Sequence, residues 1–389
     1  MTNSSVSATF SYPFRVFFLA TALYGIAVVI AWMSYLFGGI PLPLGWTSLH
    51  WHSHEMLYGF TSAAIAGFIL TAVCNWTGAP PLKGDKLLAL VGLWLAGRLS
   101  LWTASWLPAG TAMLIDGLFL PILALYLLQL LLRHGNQRNL VLVAILLLLG
   151  MGNLAMHWGF LTGKTAWLVQ GEQLAFGLIT LIMIVIGGRI IPAFSRNWLR
   201  QRGGNEGAVK SSNRTDAITL ILSAAVIPVD VWLGSGTVAA LVILAAAAAN
   251  AWRLWSWSGW LTRAEPLLWI LHLGYAWIIA GLLFKGMAAL NLIAPSVWQH
   301  ALGVGAMGTL ILGVMTRVAL GHTGRALTLP TFGVIIYLAI SIAALSRVLA
   351  ALGWINYSFG LMLAASGWTL AFALFLLLYW PILTRPRIG

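Results

Sequence analysis

The chain has 389 residues, of which 60% are hydrophobic and only 7% charged. A water-soluble domain of this length does not carry so little charge; a polytopic helical membrane protein does. The net charge of +13 is spread over short connections rather than gathered on one face, which argues against a nucleic-acid partner and for a topology signal.

The start, Met1 to Ser11, is polar and lacks the basic segment and small-residue cleavage pattern of a signal peptide. Apolar windows long enough to cross a bilayer then follow at 14–37, 50–74, 86–106, 110–132, 138–162, 167–190, 215–233, 236–256, 266–289, 297–320, 330–352 and 354–380. The expectation is an all-α membrane helix bundle of about 12 spans, forming a single integral membrane domain over residues 1–389. The longest polar stretch, Ser195 to Asp216, reads as a connection between the sixth and seventh spans.

Threading these spans puts 17 of the 21 basic residues on one side, Arg15, Arg133, Arg196, Arg263 and Arg385 among them. The positive-inside rule then predicts that both termini are cytoplasmic. The 21 tryptophans fall mostly near span ends, as in an aromatic belt.

With that orientation, each ionisable residue inside a span acquires a depth. His50, His52, His54 and Glu55 lie at the outer end of the second span, Arg98 in the outer half of the third and Asp116 in the outer part of the fourth. His157 and Glu172 lie near the outer ends of the fifth and sixth, Lys285 of the ninth, His300 of the tenth and Arg347 of the eleventh. His272 sits deeper, and Arg189, Arg317 and His322 lie at the cytoplasmic boundary. Snorkelling explains Lys285 and Arg347, whose side chains are long. It explains His and Glu poorly. Such groups in hydrocarbon mark metal sites, proton relays or cavities.

The run His50-Trp51-His52-Ser53-His54-Glu55 is the densest of these signals. On a straight helix His50 and His54 share a face, whereas His52 points roughly 200° away from His50. Either His50 belongs to the preceding loop or the run serves two sites, with Glu55 on the His52 side as its hydrogen-bonding partner. The metal-ligand candidates are His50, His52, His54, His157 and His300; the bland reading of each lone histidine is a hydrogen-bonded core residue. Glu55, Glu172 and Asp116 are the candidates for proton handling.

Cys74 is the only cysteine, which excludes an internal disulfide, a c-type haem attachment and thiolate-rich clusters. Histidine suits copper and b-type haem. Haem would bring propionates, for which Arg98, Arg347 and Arg317 are partners, with His54, His300, His52 and His272 as candidates on the macrocycle. No phosphate loop, dinucleotide fingerprint or zinc-protease motif is present. Spans 2, 6 and 10 each open with His or Glu and end at a Gly-bearing turn, a weak period of four spans.

Several blocks resemble the NnrS family. His50-Trp-His-Ser-His-Glu-Met-Leu-Tyr-Gly is followed by Ala66-Gly-Phe-Ile-Leu-Thr-Ala-Val-Cys-Asn-Trp-Thr-Gly; Gly187-Gly-Arg-Ile-Ile-Pro-Ala-Phe and Leu271-His-Leu-Gly-Tyr-Ala-Trp come next. The tenth span supplies His300-Ala-Leu-Gly-Val-Gly-Ala-Met-Gly-Thr and Gly313-Val-Met-Thr-Arg-Val-Ala-Leu-Gly-His-Thr-Gly-Arg. The resemblance implies a multi-pass protein of the bacterial inner membrane that holds haem b and copper and acts in nitric oxide metabolism. On that basis the expected activity is reduction of nitric oxide to nitrous oxide, with electrons from a quinol or a separate donor. The rivals are export of a metal or nitrosyl–iron species, and a haem-based sensor without turnover.

Overall fold

The structure is a computed structural model that describes residues 8–41 and 45–388; the first seven residues of the polar start lie outside it. Among the described residues the chain is helical throughout, with no strand. Eleven helical segments are long and apolar enough to cross a membrane. With Asp85–Trp102 included, twelve segments among the described residues follow in chain order: α1 (Pro13–Gly38), α2 (Ser48–Thr77), α3 (Asp85–Trp102), α4 (Thr111–Arg133), α5 (Gln137–Thr162) and α6 (Thr165–Gln201). They continue as α7 (Asn213–Trp232), α8 (Thr237–Ser256), α9 (Pro266–Ala289), α10 (Pro295–His322), α11 (Gly333–Ala351) and α12 (Tyr357–Thr384). The remaining one, α3, has 18 residues and includes Asp85, Lys86 and Arg98.

Every span expected from the apolar windows is a helix. The main difference lies at α6, which runs on through Pro192 to Gln201 into the stretch expected as a connection. Its extension is held by side chains: Trp198 Nε1 donates to Glu265 at 3.1 Å, and Arg196 Nη1 donates to the Val209 carbonyl at 3.1 Å.

Proline opens α1, α9 and α10 at the first helical turn, where its missing N–H costs nothing. Aliphatic side chains such as Leu23, Leu125, Leu241 and Leu338 remain exposed on helix exteriors, as lipid contact requires.

The residues group into two compact units. One comprises residues up to 175 with 318–326 and the stretch from 375; the other comprises 176–317 and 327–374. In the first, Phe14, Phe17 and Phe18 of α1 are buried, and α1 packs along α2. The first unit also ties down the last helix: Arg15 Nη1 donates to the Leu383 and Arg385 carbonyls at 2.8 and 2.6 Å, satisfying acceptors that the end of α12 leaves open.

Two helices share an unusual break. In α2, Ser48–His54 is α-helical, Glu55–Phe60 is π-helical and the α-helix resumes at Thr61. In α10, Pro295–His300 is α-helical, Ala301–Gly308 is π-helical and the α-helix resumes at Thr309. Each π segment starts directly after a histidine, and such segments favour functional sites. Helix α6 is α-helical throughout, so the four-span period appears in this feature at α2 and α10 only.

Candidate metal centre

In the first unit, the π turn of α2 shapes the site. Thr61 Oγ1 donates to the Met56 carbonyl at 2.8 Å, and Trp94 Nε1 of α3 donates to the Gly59 carbonyl at 3.0 Å. These bonds take up acceptors that the wider winding displaces. Successive side chains in a π turn are rotated by less than in an α turn. That brings Glu55 beside His54, rather than beside His52 as a straight helix implies.

His54 is fully buried at the centre. Its Nδ1 lies 2.8 Å from Glu55 Oε1, and its Nε2 lies 2.6 Å from Asn153 Oδ1 of α5. His157, one helical turn beyond Asn153, points Nε2 at Asp116 Oδ2 of α4 at 3.0 Å, and His54 Nε2 is 3.4 Å from the same oxygen. Asn153 Nδ2 also donates to Asp116 Oδ2 at 2.7 Å. Two imidazole nitrogens and one carboxylate oxygen, from His54, His157 and Asp116, therefore lie within 4.8 Å of one another, all buried.

Arg98 of α3 completes the charge balance. Its Nη1 donates to Glu55 Oε1 at 2.6 Å, and its Nη2 pairs with Asp116 Oδ1. One guanidinium thus bridges two carboxylates from different helices, a use of its fork that a lysine could not reproduce. Trp46 closes the cluster, its ring set edge-on to His54 and His157 at 5.1 and 5.2 Å between centroids. Glu55 Oε2 and Arg98 Nε are buried there without a hydrogen-bond partner.

The histidine run is divided three ways. His54 faces the cluster. His50, a turn earlier on the same face, meets Glu172 of α6 instead, with Nδ1 3.2 Å from Oε1, and Ser53 Oγ donates to that same oxygen. His52, on the other side, stacks on Trp32 of α1 at 4.7 Å with 13° between the rings. A straight helix puts His50 and His54 on one face. They do share a face, but one turn of rise gives them different neighbours.

The other candidates lie in the second unit. His300 ends the α-helical start of α10, and its Nδ1 donates to the Ser296 carbonyl at 2.7 Å. Arg347 of α11 lies over the Tyr357 ring at 5.6 Å, with Nη1 buried and without a hydrogen-bond partner. Its neighbour Val348 packs with Val297 and Ala301, which flank His300. His272 of α9 has Nε2 3.1 Å from Ser195 Oγ. Arg317 lies over the Phe194 ring at 4.1 Å.

The NnrS profile, described as NnrS protein, matches residues 8–387. The chain belongs to the NnrS family. That membership ties it to nitric oxide-related function and suggests metal or haem binding. No curated protein matches this member of the family.

The residue that reading the sequence passed over is Asn153, which joins His54 to Asp116. A signal was present: Asn153 and His157 are four apart in an otherwise apolar span, hence on one face. Trp46 gave no comparable signal, because its role depends on the fold of a loop.

Proposed function

We propose that this NnrS protein detoxifies nitric oxide by reducing it to nitrous oxide, with copper in the first unit and haem b in the second. The observation that carries the reading is the convergence of His54, His157 and Asp116 within 4.8 Å in a buried, membrane-spanning setting.

The fit of each group follows from the donors. Two imidazoles and one carboxylate suit a single transition-metal ion, copper included. Glu55 holds the His54 ring in orientation through Nδ1, and Asn153 Nδ2 holds Asp116, as partners beyond the ligands do in metal sites. Coordination through His54 Nε2 replaces its hydrogen bond to Asn153. The same place does not fit a macrocycle: the His54 and His157 rings are only 5.2 Å apart, at 77° to each other, with Trp46 packed against both.

Haem suits His300 better. The Ser296 carbonyl fixes the proton on Nδ1 and so makes Nε2 the basic nitrogen. Three residues on, a Cβ at Gly303 would meet only Phe176, at 4.0 Å. The orphaned Nη1 of Arg347 is a donor for a propionate.

Reduction joins two nitric oxide molecules and takes two electrons and two protons, releasing nitrous oxide and water. When bound, the metal groups supply electrons and a binding site for this small neutral substrate. The protein handles the protons. Glu55 Oε2 is a buried acceptor beside the site; the guanidinium holds Asp116 by Oδ1, leaving Oδ2 to face His54 and His157, whereas Glu55 meets both Arg98 and His54 through Oε1. His50 with Glu172, both partly exposed, forms a second proton-handling pair near the same helix end. We place both termini on the cytoplasmic face of a bacterial inner membrane, with a quinol or separate protein as donor. The test is anaerobic incubation of haem- and copper-loaded protein with nitric oxide and a reductant. Nitrous oxide formation supports the reading; loaded protein that forms none overturns it.

A further inference from the structure

The second unit holds a buried ion pair that the reading above does not use. Lys285 Nζ of α9 lies 2.6 Å from Asp230 Oδ2 of α7, with both side chains at most 7% exposed. The pair borders a small cavity, of about the size that admits one water, whose lining includes Thr180 of α6, Ser223 of α7 and Leu302 of α10. Asp230 and Lys285 are the only ionisable groups in that lining.

Three observations distinguish this pair from a fixed structural one. First, its polar surroundings are incompletely satisfied: Thr180 Oγ1, in the lining of the same cavity, is buried without a hydrogen-bond partner. A structural pair in hydrocarbon is expected to have both partners saturated and packed. Second, Lys285 has another partner. Its Nζ stands 3.7 Å from the centroid of the Trp298 ring, so the ammonium keeps a stabilising contact when Asp230 is neutral. Third, a polar seam leads to the cavity from the opposite end of α7. Arg253 Nε donates to Asp216 Oδ1 at 2.7 Å, and Arg253 Nη1 donates to the Tyr275 hydroxyl at 3.3 Å. Tyr275 in turn donates to Asn250 Oδ1 at 2.6 Å, and Asn250 Nδ2 to Ser223 Oγ at 3.0 Å. Asp216, Thr219, Ser223 and Asp230 lie along one stripe of α7, about 21 Å from first to last at the helical rise. The Asp216 side chain is 31% exposed.

We propose that Asp230 is a proton-loading site: its carboxylate takes up one proton from water and returns it, with a water held between Thr180, Ser223 and the ion pair as the immediate carrier. On loading, the pair passes from net zero to net +1, Lys285 staying an ammonium against Trp298; on release it returns to zero. Arg253 and Asn250 do not carry the proton. They form the hydrogen-bonded seam that ends at Ser223 in the cavity lining. This assignment does not depend on nitric oxide reduction.

The test is infrared difference spectroscopy of the full-length protein in lipid, titrated from about pH 5 to about pH 9, with deuterium exchange. A protonated-carboxyl band that disappears in Asp230→Asn is expected, and Thr180→Val should slow its exchange about tenfold by removing a water partner. Identical spectra for wild type and Asp230→Asn would overturn the proposal, leaving a fixed ion pair. If Asp230→Asn does not accumulate, Thr180→Val decides: a carboxyl band exchanging at the wild-type rate overturns it too.

Discussion

Gly59 leaves the space that Arg98 fills. A Cβ at position 59 would lie 2.7 Å from Arg98 Nη1 and 2.8 Å from the Tyr24 ring, so the guanidinium reaches Glu55 and Asp116 only because residue 59 has no side chain. Gly59→Ala should push Arg98 off both carboxylates and cost about 1–3 kcal/mol of stability. Gly92→Ala is the control on α3, since nothing lies within 4 Å of a Cβ there. Thermal unfolding in detergent should separate the two, with metal content falling in the first variant only.

Removing the guanidinium altogether is a harsher change. Arg98→Met leaves Glu55 and Asp116 buried without their cation, and a broken buried pair costs about 3–5 kcal/mol. Arg98→Lys keeps the charge but cannot bridge both carboxylates, so it should fall between wild type and Arg98→Met in denaturation midpoint. A midpoint for Arg98→Lys equal to that of the wild type would mean that the fork geometry is unimportant.

Asn153 donates to Asp116, a carboxylate of the proposed ligand set, and so it should tune metal binding without being a ligand. Asn153→Ala should weaken metal affinity about 10- to 100-fold while leaving the bound stoichiometry unchanged at saturating metal. Titration with a competing chelator measures this directly. Loss of stoichiometry at saturation would instead make Asn153 a ligand.

The two cofactor assignments lie in different units and should fail separately. His300→Ala should abolish the Soret band of purified protein while its copper content stays at the wild-type level. Arg347→Gln should keep the band and shift the haem reduction potential, because a cation near a propionate is lost. A normal Soret band in His300→Ala would remove His300 as the haem ligand.

How much of this was legible from the amino-acid order differs between fold and site. The helices were, because an apolar span leaves no alternative in lipid; the end of α6 was not, because side-chain bonds from Arg196 and Trp198 extend it past an internal proline. For the site, residue type and depth picked out His54, Glu55, Arg98, Asp116 and His157, and the structure brings those five together. Their pairing was not legible. It depends on a π turn at Glu55 that carries no composition signal, and on Asn153, a neutral residue that topology alone makes central. His300 and Arg347, expected at the same depth, fall in the other compact unit.

The most direct test of the central claim is metal analysis of the purified protein with His157→Ala and, as a control, His272→Ala. Copper bound by His54, His157 and Asp116 predicts that His157→Ala loses the ion, along with any copper resonance in the electron paramagnetic spectrum, while His272→Ala keeps both. Wild-type copper content and an unchanged spectrum in His157→Ala would contradict it.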